Sequence, residues 1–197
     1  MHQGWDVYIW QDEEFDAERL FPLTYRLWKD CTHPVQMSGL LRLEAVYNYG
    51  GFYVDSDVEC IRSFEPLRHL PGSFIVGTED GRHKTDAVFG AAKHSPVLKG
   101  IIDRVLSMDM KAGPLYTGPH NMTLALDNYL AYDVAWAEGY GASRWNGDGV
   151  DYTLLPEKAF YPYDYKEKHD PRLVNKDWNQ EPGVYAIHRW NFSWKGF

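Results

Sequence analysis

Asp55 and Asp57 stand one residue apart at the end of the apolar run Phe52-Tyr53-Val54. That run is β-branched and aromatic and follows the break Gly50-Gly51, so it reads as a short buried strand. Residues two apart on an extended chain face the same side, which lets both carboxylates converge on one cation. Hard divalent ions such as Mg²⁺ and Mn²⁺ take one or two carboxylates and fill the remaining positions with diphosphate oxygens. A bare Asp-x-Asp arises by chance roughly once in a few hundred residues at ordinary acidic content, so the surrounding elements must carry the argument.

Pro34 to Asn48 reads as a helix running into this strand. Met37, Leu40, Leu41, Val46 and Tyr47 fall near helical spacing, Pro34 suits a first turn and Gly50 a C-terminal stop. Val7 to Trp10 reads as a strand, and Glu13 to Lys29 as a helix interrupted at Pro22. Phe74 to Gly77 and Ala87 to Gly90 read as short buried strands, a hairpin-like pair around the polar turn Glu79 to Thr85. Ser95 to Met110 and Pro119 to Tyr132 read as helices, Gly139 to Asp151 as a loop, Tyr161 to Gln180 as a surface excursion, and Val184 to His188 as a last strand. Strands alternating with helices predict an α/β sandwich with a mostly parallel central sheet, its ligands gathered at the strands' carboxyl ends.

At 197 residues, residues 1–197 fit one domain. The formal charge of −8 argues against a broad phosphate-backbone footprint, which needs a basic stripe, and leaves room only for a local nucleic-acid groove. Eight Trp suggest ring-lined surfaces as well as core. Cys31 and Cys60 lack metal-ligand spacing and read as buried thiols. No charged-then-apolar leader is visible, and no apolar run approaches the ~18 residues of a membrane span, so a cytoplasmic protein is expected.

The segment Ser38-x-x-x-Arg42 through Gly50-Gly51-x-Tyr53-x-Asp55-x-Asp57 resembles the DXD sugar-binding glycosyltransferases of family 32, which include yeast α-mannosyltransferases, and the related clostridial glucosylating toxins. Trp5 to Trp10, Thr117-Gly118-Pro119, and Ala186 to Trp190 with Ser193-Trp194 match in the same order. The resemblance implies a GT-A fold, a nucleotide-sugar donor (UDP-sugar or GDP-mannose), Mn²⁺ or Mg²⁺ as cofactor, and transfer with retention of anomeric configuration. It implies that Asp57 binds the metal directly, that Asp55 contacts the metal and the donor's ribose or sugar, and that His188 is a further metal ligand. It also implies donor contacts from Ser38, Arg42 and Tyr53, with the Trp194 indole N–H beside the diphosphate. Asp86, where relatives often carry Asn, and His120 are the acceptor-side candidates, Asp86 as a catalytic one.

Each of these residues has a plainer reading. Asp55 and Asp57 would sit in a solvated turn, and His188 would be an isolated structural histidine. Arg42 would pair with Glu44 or Glu18 on a helix face, Asp86 would cap a turn, His120 would be exposed on a first helical turn, and Trp194 would belong to a core or lid.

Two departures from the family pattern stand out. Gly39 occupies the position three before Arg42 where the family has an Asp expected to touch the donor sugar. The apolar strand that usually precedes the Trp5 region is not included, so the nucleotide base is expected to be held by another element or by a neighbouring copy in a homo-oligomer. Two other readings compete: a glycosidase pair, whose carboxylates would stand ~5–10 Å apart across a sugar, and a nucleotide-sugar-binding protein without turnover. The acceptor is not legible.

Overall fold

The computed structural model describes residues 4–10, 16–112, 117–127, 134–137, 142–147 and 150–191; Ser193 and Trp194 lie outside the described residues. Within the described residues 16–29, the helix expected with an interruption at Pro22 is two single turns, α1 (Ala17–Leu20) and α2 (Tyr25–Trp28). They are separated by the stretch that contains Pro22, whose ring cannot continue a helix. α3 (Pro34–Tyr49) is the long helix that was expected. The His33 imidazole accepts from the Val35 N–H, Gln36 closes a capping box, and Gly50 ends the helix at φ 74°.

β1 (Gly51–Val54) follows at once, then β2 (Val58–Cys60), β3 (Phe74–Thr78), β4 (Lys84–Ala91), α4 (Pro96–Leu106) and α5 (Pro119–Asp127). β5 (Val134–Ala137), β6 (Ala142–Gly147), β7 (Val150–Leu155), the short α6 (Pro171–Val174) and β8 (Ala186–His188) complete the described elements. Six strands form one sheet in the order β1-β4-β3-β7-β6-β5, and β2 pairs with β8 in a second.

The α/β reading holds, but the sheet is not mostly parallel. Among the described residues only β3–β7 is a parallel pair; β1–β4, β4–β3, β7–β6 and β6–β5 are antiparallel. A parallel neighbour needs a long crossover, whereas β3 returns into β4 through the short turn after Thr78, so β4 runs against both strands beside it. β1 and β3 therefore end on the same side of the sheet, which is also where β4 begins.

Four further expectations change. Val7, Tyr8 and Ile9 do not form a strand and are more than three-quarters exposed. The Gly- and Asn-rich stretch 139–151 contains β6 and the start of β7 instead of being all loop. Tyr161 to Gln180 is irregular but anchored, because Tyr161, Tyr163 and Trp178 are buried in the core. Cys31 and Cys60 are free thiols and only partly buried.

Strands β3 and β4 are buried on both faces. Phe74, Val76 and Phe89 pack under α4 through Val97, Leu98, Ile101 and Ile102. Ile75 and Val88 point the other way, onto Phe160, Ile187 and Trp190. This is the alternation of a pleated strand, and each fully buried Leu, Ile or Phe contributes about 1.5–3 kcal/mol relative to exposure. Among the described residues, no helix is long and apolar enough to cross a membrane.

Candidate functional site

The chain leaves β1 at Val54 and turns at once. The Asp55 N–H donates to Ala87 O at 2.8 Å, extending the β1–β4 ladder by one bond, and the Val58 N–H donates back to Asp55 O at 3.1 Å. Asp55 to Val58 is thus a turn, and it is the turn, not strand alternation, that brings the two carboxylates to one place. β2 then runs beside β8 with Val58 opposite His188. That register sets the imidazole against the turn, with His188 Nε2 3.2 Å from Asp57 Oδ1.

Ligand atoms of Asp55, Asp57 and His188 lie within 4.8 Å of one another. Two carboxylates and an imidazole form a donor set suited to Mn²⁺ or Mg²⁺. The charges agree: the Arg42 guanidinium is ion-paired to Asp55 and Asp86, so Asp55, Asp57 and Asp86 carry two negative charges in excess of it. His188 Nδ1 is buried and makes no hydrogen bond to any described residue. The residues present fit a divalent cation.

Asp57 is also held from the C-terminal side, since Asn191 N–H donates to its Oδ2 at 2.9 Å and Arg189 N–H to its backbone oxygen at 2.9 Å. Partial burial works against its charge, but the His188 contact and the Asn191 N–H outweigh it and hold its carboxyl below the ordinary value of 3.8. Tyr161 and Trp190 frame the His188 ring at centroid distances of 6.0 and 4.1 Å.

Behind the turn lies a buried ionic cluster. Arg42, from α3, reaches Asp55 Oδ1 at 3.2 Å and Asp86 Oδ2 at 3.0 Å, and its guanidinium carbon stands 4.7 Å from the centroid of the Tyr53 ring. The Tyr53 hydroxyl donates to Asp55 Oδ1 at 2.7 Å, and the Ser38 hydroxyl accepts from Arg42 Nη2 at 3.1 Å. Burial raises the Asp86 carboxyl above its ordinary value against the pull of Arg42. Burial also raises the Tyr53 phenol. Burial alone would lower the Arg42 guanidinium, but Asp86 leads the interactions that raise it.

The structure therefore brings Ser38, Arg42, Tyr53, Asp55, Asp57, Asp86 and His188 into one contiguous set. Arg42 does not pair with Glu44 or Glu18 at the helix surface, and Asp86 lies within a buried strand instead of capping a turn. His120 is exposed on the first turn of α5. Gly39 is occupied from outside: a Cβ there would lie 2.6 Å from Thr117 Oγ1. Sequence reasoning missed Tyr161 and Asn191. Asn191 contributes a backbone N–H, which no side-chain pattern announces.

A family model described as the glycosyltransferase sugar-binding region containing a DXD motif matches residues 1–72. The matched stretch is similar to that region and supplies α3, β1, the Asp55–Asp57 turn and β2, while His188 and Asp86 come from beyond it.

Over 210 aligned residues the chain is 29% identical to inositol phosphoceramide mannosyltransferase 3 of Schizosaccharomyces pombe, covering 100% of this chain and 54% of that protein. It is 26% identical to an alpha-1,4-N-acetylglucosaminyltransferase of Homo sapiens, over 76% of this chain and 41% of that protein. The chain thus spans about half the length of the curated relatives it matches. Among solved structures, the PaToxG glycosyltransferase aligns with a TM-score of 0.46 and 22% identity, over 59% of this chain and 43% of that one.

Proposed function

We propose that this chain carries the catalytic site of a metal-dependent glycosyltransferase with a GT-A-like architecture, moving a sugar from a nucleoside-diphosphate donor to an acceptor hydroxyl. The convergence of Asp55, Asp57 and His188 carries the reading, because residues from the first third and the end of the chain meet with ligand atoms within 4.8 Å. A divalent cation held there would neutralise the charge that develops on the departing diphosphate. Asp55 and Asp57 would grip it from the turn, while the β2–β8 register and the Trp190 ring fix the imidazole. The names of the relatives point to a hexose or N-acetylhexosamine as the transferred sugar, with UDP-sugar or GDP-mannose as donor.

Retention follows from the family resemblance. Asp55 and Asp57 are committed to the cation in this reading, and Asp86 is buried against Arg42. This favours a same-face route in which the leaving diphosphate takes the acceptor proton over one through a covalent glycosyl-enzyme.

The test is donor hydrolysis or transfer with and without Mn²⁺, in the wild type and in Asp57→Asn. Turnover should require the metal and fall about a thousandfold in the variant, since losing this charge stabilisation is worth several kcal/mol. Metal-independent turnover, or an Asp57→Asn enzyme as fast as the wild type, would refute the mechanism. Donor binding without turnover would instead leave a nucleotide-sugar-binding protein.

A further inference from the structure

Arg42 is 8% exposed, and protein oxygens surround its guanidinium. A guanidinium has five N–H bonds. Five protein oxygens lie within 3.4 Å of its three nitrogens: Ser38 O from Nε at 3.4 Å, Asp86 O and Oδ2 from Nη1 at 3.0 Å each, and Ser38 Oγ and Asp55 Oδ1 from Nη2 at 3.1 and 3.2 Å. One flat face lies over Tyr53. Three of the five N–H bonds are donated, to Ser38 O, Asp86 O and Ser38 Oγ, while the two carboxylate oxygens are ion-pair partners.

We infer that Arg42, backed by Asp86, is a positioning residue for the cation site. The inference rests on the reading of Asp55, Asp57 and His188 as cation ligands. Asp55 Oδ1 takes the Tyr53 hydroxyl and the Arg42 Nη2, which fixes the rotation of the carboxylate and leaves Oδ2 for the cation. Asp86 holds Arg42 through both its backbone and its side-chain oxygen. Its own carboxylate is pressed against Gly118, where even a Cβ would lie 3.1 Å from Oδ2, so it has little room to swing away. At 4% exposure, Asp86 acts through Arg42 and not on an acceptor hydroxyl.

Charge and position make opposite predictions here. Arg42 is a positive charge beside a cation site, so by Coulomb's law alone its removal should tighten metal binding. If it positions Asp55, its removal should weaken binding.

The experiment measures Mn²⁺ affinity of the full chain without nucleotide, from the electron paramagnetic resonance signal of free Mn²⁺, with the melting temperature recorded in parallel. Arg42→Gln combined with Asp86→Asn removes a guanidinium and a carboxylate together, so the net charge of the site is kept and no lone buried ion remains. Its Mn²⁺ affinity should fall about tenfold or more, the usual cost of losing a group that orients a metal ligand. Tyr53→Phe removes one hydroxyl, keeps the fold, and should weaken Mn²⁺ a few-fold. If both variants bind Mn²⁺ as the wild type does while losing donor affinity, Arg42 is a donor ligand and the inference falls. If the double variant does not fold, an unchanged Mn²⁺ affinity in Tyr53→Phe overturns it alone. A wild type that binds no Mn²⁺ sinks the cation reading itself, and this inference with it.

Discussion

Helix α3 buries two charges two residues apart, Arg42 and Glu44, and they are used in opposite ways. Glu44 is fully buried, and its carboxylate accepts from the Leu23 N–H at 2.9 Å and from the Thr24 N–H and hydroxyl at 2.7 Å each. These are neutral groups on the segment between α1 and α2, so Glu44 ties a loop to the helix. Arg42 faces Asp55, Asp86 and Tyr53, all capable of ionising, and the raised values of Asp86, Tyr53 and Arg42 itself gather around it. Burial of a charge does not mark a site. What marks it is burial among other titratable groups, with a set of ligand atoms just beyond.

The contrast breaks most visibly at Glu44. Glu44→Ala strands the buried Thr24 N–H and hydroxyl and the half-buried Leu23 N–H, and should cost about 3 kcal/mol of stability. Urea denaturation measures it, and the Mn²⁺ affinity of the folded variant should match the wild type. A Glu44→Ala protein that lost metal affinity along with stability would show that the two faces of α3 are one unit, and the division drawn above would be wrong.

Gly39 sharpens the same division from the site face. It lies one helical turn before Arg42, and an added Cβ would meet Thr117 Oγ1 at 2.6 Å and the Thr117 backbone oxygen at 3.1 Å. Ala is favoured over Gly in a helix by about 1 kcal/mol, but overpacking of this kind costs about 1–3 kcal/mol. Gly39→Ala should therefore lower the melting temperature by a few degrees. Unlike Glu44→Ala, it should also weaken Mn²⁺ binding, because the helix must shift where it carries Arg42.

Much of the site could be read from residue types because it is built locally. α3, the Gly50-Gly51 break and the Asp55–Asp57 turn are consecutive, and the cap, the stop and the apolar strand each leave a signal. The sheet was harder, since strand direction depends on which strands become neighbours, and β4 takes its place between β1 and β3 without any local mark. The strands within 139–151 were hidden because pairing overrode a Gly- and Asn-rich composition. Helical spacing in α3 also misled in part: Met37 is exposed, while the polar Gln36 and Glu44 are buried. Gln36 is buried because it serves the helix cap and donates to Met110 O at 2.6 Å.

The smallest effect separates Asp57 from the buried charges behind it. Its carboxyl lies below the ordinary 3.8, because the contacts from His188 and Asn191 outweigh partial burial. A group whose value is lowered on folding binds its proton less readily in the folded state. Its contribution to stability is present above the unfolded value and is lost as pH falls through the lower folded value. In metal-free protein, the stability difference between wild type and Asp57→Asn should be steady above about pH 5 and shrink as acid is added below about pH 4. Urea titrations across that range measure it. A difference independent of pH would mean that the carboxylate gains nothing from His188 and Asn191 in solution, and the register of β2 on β8 would no longer explain how the site is held.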